Sequence, residues 1–184
     1  MRALSILMLA LAMVACGGPE PRRPIKVKSG SFFKESVERN KLLLAKEEKI
    51  IQEIISKDTL HEYATSPNGF WYYYDVKNDT AQYTPKTDDQ ILFSYNIRTL
   101  ENDTVYSMQD IGPTSYTIDK EQLFPGLQNA VKLLKVSERA TFVFPSLQAY
   151  GYLGDGEAIG PRTPIKSTIE LHTIIINQDS LNLK

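Results

Sequence analysis

The sequence is short of the residues that most enzymes use for covalent, metal or phosphate chemistry. Its 184 residues include one cysteine and two histidines. The histidines, His61 and His172, are far apart in the chain, so a metal cluster or a Cys/His pair is not expected. A glycine-rich phosphate loop is also missing. We therefore expect a protein that works without a metal or any other cofactor.

A surplus of charge of one sign is missing as well. The chain has 21 basic and 22 acidic side chains, and its formal net charge is −1. Without a basic field, nucleic-acid binding is not expected. What the chain does have is ten tyrosines and seven phenylalanines within a 42% hydrophobic composition. This composition favours one strand-rich globular domain with appendages.

No apolar run is long enough to span a bilayer. The stretch from residue 3 to residue 14 follows Arg2 and is too short, so residues 1–15 are predicted to be a signal peptide. The stretch ends M-V-A-C, which resembles the bacterial lipobox and makes Cys16 the predicted acylated first residue. That lipid would anchor the protein to the inner or outer membrane, facing the periplasm. An ordinary secretory signal followed by an incidental cysteine is the alternative.

Two segments precede the globular domain. Residues 16–30 are rich in proline, glycine and basic residues and are predicted to be an exposed tether. Residues 31–57 have a helical apolar period and no internal Gly or Pro, which predicts a long amphipathic helix beginning at the cap Ser31. Its apolar stripe contains Phe33, Val37, Leu44, Ile51 and Ile55, widened by Leu43, Ile50 and Ile54. The stripe has two interpretations, packing against its own domain or a helix contact in a homodimer.

Residues 58–184 are predicted to form the globular domain. Alternating and β-branched patterns separated by turn residues predict a series of antiparallel strands. The predicted strands are 70–76, 91–100, 104–108, 115–118, 137–144 and 168–177. One short amphipathic helix, 127–134, precedes the last two strands. This order predicts an α+β fold in which a curved antiparallel sheet wraps over the short helix.

The stretch 116–131, Y-T-I-D-K-E-Q-L-F-P-G-L-Q-N-A-V, is the most informative in the chain. Leu123 and Phe124 come directly before Pro125 and Gly126, where proline fixes φ and glycine permits a positive φ. A rigid turn of this kind can form one side of an apolar pocket. Alternatively, Leu123 and Phe124 simply pack into the core beneath the turn. The apolar and aromatic residues that could converge there are Tyr95, Tyr106, Tyr116, Leu123, Phe124, Tyr150 and Leu171.

The stretch from about residue 70 to residue 177 resembles an FKBP-type peptidyl-prolyl isomerase domain. L-F-P-G-L resembles the family's V-I-x-G-W segment, and P-S-L-Q-A-Y-G resembles its P-x-x-x-Y-G signature with one extra residue. P-I-K-S-T-I-E-L resembles the P-P-x-x-T-L-x-F motif with which the family's domain ends. The resemblance implies an FKBP-like fold and an isomerase that acts on X-Pro segments of envelope proteins. With the lipobox and the helical lead-in, the whole chain looks most like the gliding-motility-associated FKBP-type lipoproteins of Bacteroidetes.

The same resemblance implies the site residues. The implied catalytic residues are Tyr95, Tyr106, Phe124 and Tyr150. The implied substrate-binding residues are Ser107, Tyr116, Gln122, Leu123, Leu127 and Leu171. Three of them depart from the family, with Leu127 in place of Trp, Ser107 in place of Asp and Gln122 in place of Glu. A smaller side chain at the floor of the pocket, Leu127, and the lack of a carboxylate at Ser107 predict weaker proline binding, with no carboxylate nearby.

Two other functions are compatible with these residues. A proline-binding module or holdase would use the same apolar residues without isomerising its client. A structural lipoprotein would instead use residues 31–57 for assembly in the envelope.

Overall fold

The computed structural model describes residues 29–177, with side chains from residue 34 onward. The predicted signal peptide 1–15, Cys16 and nearly all of the predicted tether lie outside the described residues. The chain divides into two units, Met1–Glu38 and Arg39–Lys184, and the core belongs to the second. Within residues 29–177, no helix has both the length and the apolar character needed to cross a membrane.

The helical elements comprise one long helix and several short ones. They are α1 (Ser29–Lys57), α2 (Met108–Ile111) and α3 (Pro125–Ala130), with 3-10 turns at Val131–Leu133 and Ser146–Gln148. The long helix thus begins slightly before the predicted cap Ser31. The α2 helix is absent from the sequence-based prediction.

The strands form a single antiparallel sheet. They are β1 (Ala64–Ser66), β2 (Phe70–Val76), β3 (Gln90–Tyr95), β4 (Ile97–Arg98), β5 (Thr104–Tyr106), β6 (Thr114–Thr117), β7 (Arg139–Phe144) and β8 (Ile165–Ile175). Their order across the sheet is β1-β2-β7-β8-β3-β6, and β4 pairs with β5 and β8 beside this path. The two C-terminal strands therefore lie at the centre of the sheet.

Three predicted strands are shorter than expected, and the one predicted over 137–144 begins only at Arg139. The strand predicted over 91–100 is interrupted at Asn96, whose side-chain oxygen accepts a hydrogen bond from the Thr168 N–H at 2.8 Å. This side-chain bond takes the place of a regular ladder contact and separates β3 from β4. The strand predicted over 104–108 ends at Tyr106, because Ser107 caps α2.

The main core lies between the sheet and α3. It contains Phe70, Ile91, Phe93, Ile97, Tyr116, Ile118, Leu127, Ala130, Val131, Leu134, Ala140, Phe142, Phe144, Ala149, Ile159, Ile165, Ile169 and Leu171. Phe142 and Phe144 stack at 5.8 Å, and Phe70 meets Phe144 edge-on at 5.2 Å. The predicted fold, an α+β arrangement of antiparallel sheet over a short helix, is confirmed.

The opposite face of the sheet carries a smaller core beneath the C-terminal half of α1. Ile51 is fully buried there with Leu100 and Val143, and Ile54, Ile55, Tyr63 and Trp71 pack around them. Both faces of β7 are covered, so Thr141 and Val143 on this face are buried, as are Ala140, Phe142 and Phe144 on the other face. This part of the apolar stripe packs against its own domain, whereas Ile50 remains 52% exposed.

Candidate active site

The Pro125–Gly126 pair begins α3 and does not form a separate turn. Phe124 is the N-cap with φ −64° and ψ 147°, and Pro125 occupies the first turn, where its missing N–H is not needed. Gly126 has no positive φ. Glycine is required there for space, since a Cβ would lie 2.7 Å from the Gln148 carbonyl oxygen and from Phe144 Cε1. The predicted Pro-Gly turn is therefore the first turn of α3, and Gly126 does not use its freedom to adopt a positive φ.

The N-cap of α3 brings Phe124 against Tyr150. Their ring centroids are 5.2 Å apart at an angle of 42°, and Phe124 also meets Phe144 edge-on at 5.6 Å. Phe124, Leu123 and Tyr150 are half-buried and pack against the main core. The residues at the start of α3 and Tyr150, which are distant in sequence, therefore meet at the edge of the core and keep an open side.

Two further tyrosines, Tyr95 and Tyr106, lie near Tyr150, and with Phe124 and Tyr150 they form what we call the ring cluster. Tyr95 stacks on Phe93 with ring centroids 5.6 Å apart, and both Tyr95 and Tyr106 are half-buried. Burial raises the pKa of Tyr150, and the neighbouring Tyr95, Asp155 and Tyr106 raise it further. The Tyr150 hydroxyl is consequently protonated at neutral pH and can act as a hydrogen-bond donor.

Asp155 supplies a carboxylate that the sequence-based prediction missed. Its Oδ2 accepts a 2.6 Å hydrogen bond from the Tyr106 hydroxyl, and its Oδ1 accepts 2.8 Å bonds from the N–H groups of Glu157 and Ile159. Burial acts to raise the pKa of Asp155, but these hydrogen bonds outweigh it and lower the pKa. The expectation that no carboxylate lies nearby is therefore wrong. Gly154–Asp155 in a Gly-rich loop was the available signal, because such loops often turn on an Asp side chain.

Two hydrogen-bond donors at this cluster have no partner within residues 29–177. They are the backbone N–H of Phe124 and the hydroxyl of Tyr150. In this part of the chain, the buried side-chain atoms that lack a partner are Arg98 Nε and Gln148 Oε1. The Tyr150 hydroxyl is not among them, so it reaches solvent. The cluster thus presents two free donors beside aromatic rings.

Three of the predicted substrate-binding residues are buried beneath the cluster. Tyr116 is 1% exposed, and Leu127 and Leu171 are fully buried. None of the three is open to solvent in this structure, so the contact of their side chains with a substrate stays a prediction. They support Phe124 and its neighbours from below.

The last two predicted residues, Ser107 and Gln122, make no contact with the aromatic rings that the structure records. Ser107 forms a capping box with Asp110, in which each side chain accepts a hydrogen bond from the other residue's N–H. The Ser107 hydroxyl also donates to Asp110 Oδ2 at 2.6 Å, so it is already engaged. Gln122 is exposed, and its side chain makes no hydrogen bond to residues 29–177. Over the same described range, no three His, Cys, Asp or Glu side chains are grouped so that they could hold a metal ion.

The sequence model of FKBP-type peptidyl-prolyl cis-trans isomerases matches residues 81–172, which is half of the chain. The chain belongs to the FKBP-type peptidyl-prolyl cis-trans isomerase family. The matched residues include the whole ring cluster and every predicted site residue except the lipidation residue Cys16. They exclude α1, β1 and β2, which lie before residue 81.

A curated relative extends the FKBP-type match beyond the family segment. The chain is 29% identical over 126 residues to a probable FKBP-type peptidyl-prolyl cis-trans isomerase, FkpA, of Neisseria meningitidis serogroup B. The match covers 68% of this chain and 44% of the relative, so the chain spans less than half of that protein's length.

Solved structures of FKBP-type proteins have the same fold. FkpA from Escherichia coli superposes with a TM-score of 0.58 at 19% identity, covering 93% of this chain and 81% of that one. A peptidyl-prolyl isomerase of Pseudomonas syringae pathovar tomato gives 0.55 at 22% identity, over 74% of this chain and 96% of that one. The N-terminal domain of FKBP42 from Arabidopsis thaliana gives 0.55 at 17% identity, over 62% and 93%.

Proposed function

We propose that the protein is a peptidyl-prolyl cis-trans isomerase that acts on X-Pro bonds. The observation that carries this proposal is the pair of free donors, the Phe124 N–H and the Tyr150 hydroxyl, beside an aromatic cluster. Membership of the FKBP-type family supports the same activity. The cluster, Tyr95, Tyr106, Phe124 and Tyr150, would hold the proline ring, and the donors would hold the carbonyls on either side of it.

The reaction requires only binding and hydrogen bonding. Rotation about a peptide bond faces a barrier of roughly 18–20 kcal/mol and takes tens to hundreds of seconds at an X-Pro bond without a catalyst. The twisted transition state has lost amide resonance, so its carbonyl is less polar than in the planar ground state. An apolar surface destabilises the twisted amide less than the planar one, and fixed donors hold the flanking groups while the bond rotates. No metal, cofactor or covalent intermediate takes part.

Asp155 would keep one wall of this site in place. Its bond to the Tyr106 hydroxyl joins the β5 side of the cluster to the loop that follows Tyr150. The bonds from Glu157 and Ile159 fix the carboxylate itself. Asp155 therefore holds Tyr106 against the proline site even though Ser107 has no carboxylate.

An isomerisation assay tests the proposal directly. The full chain, purified in mild detergent, is expected to accelerate the cis-to-trans conversion of a short X-Pro peptide. Tyr150→Phe is expected to lower kcat/KM about tenfold, the effect of losing one hydrogen bond to the substrate, with no change in stability. Tyr152→Phe is the matched control, since Tyr152 lies two residues away and is 48% exposed. A rate with the wild-type protein equal to the uncatalysed rate would refute the proposed isomerase activity.

We also propose a periplasmic location with a lipid anchor at Cys16 and clients among envelope proteins, with a role in gliding motility. The M-V-A-C sequence and the resemblance to gliding-motility lipoproteins support this proposal. Palmitate labelling of cells is expected to mark the wild-type protein and to leave Cys16→Ser unlabelled. If labelling persists in the Cys16→Ser variant, the anchor is elsewhere.

A holdase is the second candidate, and a separate cavity favours it. This cavity of about 520 Å³ lies at the β1–β2 edge and is lined by Leu60, His61, Glu62, Tyr63, Ala64, Tyr72, Tyr73, Tyr74 and Lys77. Its tyrosines could contact an unfolded client, and Leu60 beside it is 87% exposed. The holdase function predicts that the protein suppresses aggregation of an unfolded client while the X-Pro rate stays unchanged.

A homodimer through residues 31–57 is a further proposal. Ile51 is occupied within its own domain, but Leu42 and Ile50 of α1 are 65% and 52% exposed. These two side chains are available for a helix contact with a second copy. The molecular mass in solution is expected to be that of a dimer and to fall to a monomer in Leu42→Lys. A monomeric wild type would exclude this assembly.

A further inference from the structure

Glu47 of α1 binds the segment that leads to Tyr150. Its Oε2 accepts a 2.9 Å hydrogen bond from the Ser146 N–H, and its Oε1 accepts a 2.7 Å bond from the Ser146 hydroxyl. The two residues are 99 positions apart, and Ser146 is only 2% exposed. Hydrogen bonds to a charged acceptor are roughly twice as strong as neutral ones. This pair is therefore a specific link between α1 and the candidate site.

Ser146 in turn organises the backbone on both sides of Tyr150. It begins the 3-10 turn Ser146–Gln148, and its carbonyl accepts hydrogen bonds from Ala149 at 3.1 Å and Gly151 at 2.8 Å. Tyr150 lies between these two donors. A shift of Ser146 would therefore move the Tyr150 backbone and its hydroxyl.

The loop that follows Tyr150 is also held by groups other than Ser146. The Gly151 carbonyl accepts a 2.8 Å bond from the Arg162 N–H, and Asp155 holds Tyr106. Neither group restrains Ser146. The helix α1 thus supplies the side-chain anchor for the start of this segment, although it lies outside the residues matched to the FKBP-type family.

We propose that Glu47 is a positioning residue for the isomerase, acting through Ser146 to place the Tyr150 hydroxyl. The proposal rests on the proposed function in that Tyr150 donates to the substrate. It makes the C-terminal half of α1 a working part of the isomerase domain. The helix then contributes to catalytic rate without touching the substrate.

The test compares Glu47→Ala with Glu48→Ala in the full chain. Glu48 is the next residue and is exposed, so it controls for the loss of a helix glutamate. Glu47→Ala is expected to lower kcat/KM about tenfold, whereas Glu48→Ala stays within twofold of wild type. Glu47→Gln, which keeps one acceptor and adds a donor, is expected to recover part of the loss.

A double variant separates positioning from a general loss of structure. If Glu47 acts through Tyr150, Glu47→Ala lowers kcat/KM by less than twofold when Tyr150→Phe is already present. An equal tenfold loss in both backgrounds overturns the proposal, because it would show that Glu47 acts elsewhere. Wild-type rates in Glu47→Ala overturn it too.

Amide hydrogen exchange keeps the test independent of the enzyme assay. The Gly151 amide, bonded to the Ser146 carbonyl, is expected to exchange about tenfold faster in Glu47→Ala and at the wild-type rate in Glu48→Ala. If wild-type protein proves inactive, the proposed function fails, while this measurement still decides whether Glu47 holds the segment. Unchanged Gly151 exchange in Glu47→Ala would refute the positioning role.

Discussion

The two faces of the sheet differ in how they are covered. On the face that carries the candidate site, α3 and the sheet enclose a large aromatic core whose members include the fully buried Phe70, Phe93, Phe142 and Leu127. On the opposite face, α1 covers a small core around Ile51. The first face leaves two donors free, whereas the second contributes a charged hydrogen bond through Glu47.

This difference indicates how the site keeps its shape. Close packing on the site face gives the aromatic rings one arrangement, because a dense core resists small shifts. The helix on the other face buries less apolar surface, and its specific contribution is a polar one. In the proposed isomerase, the site face would thus supply most of the hydrophobic stability and the opposite face the positioning proposed for Glu47, and the variants below test that division.

The largest expected effect comes from truncating one buried residue on each face. Leu127→Ala is expected to lower the free energy of unfolding by about 3–5 kcal/mol, because it leaves a cavity in the large core. Ile51→Ala is expected to cost about 2–3 kcal/mol, since fewer buried side chains surround it. Urea denaturation measures both values. An equal or larger loss for Ile51→Ala would contradict the division between the faces.

Adding a methyl group at Gly126 is the next largest change. Gly126→Ala is expected to cost about 1–3 kcal/mol, because its Cβ would meet the Phe144 ring and the Gln148 carbonyl. Gly160→Ala is the matched control, since the nearest atom to its Cβ lies 3.5 Å away. Thermal unfolding compares the two variants. If both melt at the wild-type temperature, the close approach of α3 to the 146–148 turn is not required.

Acid is expected to have a smaller effect that is confined to the site face. The pKa of Asp155 is lowered in the folded protein, so its contribution to stability is complete above the unfolded pKa and is lost as pH falls through the folded pKa. Below about pH 4, the wild type should therefore lose this contribution, and its melting temperature should fall toward that of Asp155→Asn. The variant lacks the contribution at every pH. Melting temperatures between pH 7 and pH 3 measure this difference, with the exposed Asp103→Asn as control. Parallel curves for wild type and Asp155→Asn would exclude the role of Asp155.

The smallest effect is expected on the outer side of α1. Leu42 is 65% exposed, so Leu42→Lys should change the free energy of unfolding by less than about 0.5 kcal/mol when measured at a concentration where the protein is monomeric. Urea denaturation over a range of protein concentrations provides the measurement. A loss that grows with protein concentration is the result that the proposed homodimer predicts, whereas a larger loss at monomeric concentration would contradict the exposed position of Leu42.

The fold was largely predictable because its strands have clear patterns and boundaries. The strand predicted over 70–76 matches β2 (Phe70–Val76), and the short helix was expected near its true place. The break at Asn96 was missed, because a side-chain bond to a distant Thr168 has no local pattern. The α2 turn was missed for a different reason. Its capping box, Ser107 with Asp110, uses an Asp where the common pattern has Glu or Gln.

The candidate site was predicted less evenly. Phe124 and Tyr150 were expected together and lie 5.2 Å apart between ring centroids. Tyr116, Leu127 and Leu171 were expected at the site from the family resemblance and are buried in the core, because a motif gives a residue's position in the chain without giving its depth. Asp155 was missed, since its bond to Tyr106 joins the end of β5 to a distant loop that no short motif connects with it.

The sequence by itself determined most of the elements, their order and the family motifs, because hydrophobic period and turn residues act over short stretches of chain. Only the tertiary structure decided which polar groups pair with which. The bonds of Glu47 to Ser146 and of Asp155 to Tyr106 join residues that are 99 and 49 positions apart. Such bonds depend on distances of a few ångströms, and those distances are set only once the strands, helices and loops have packed together.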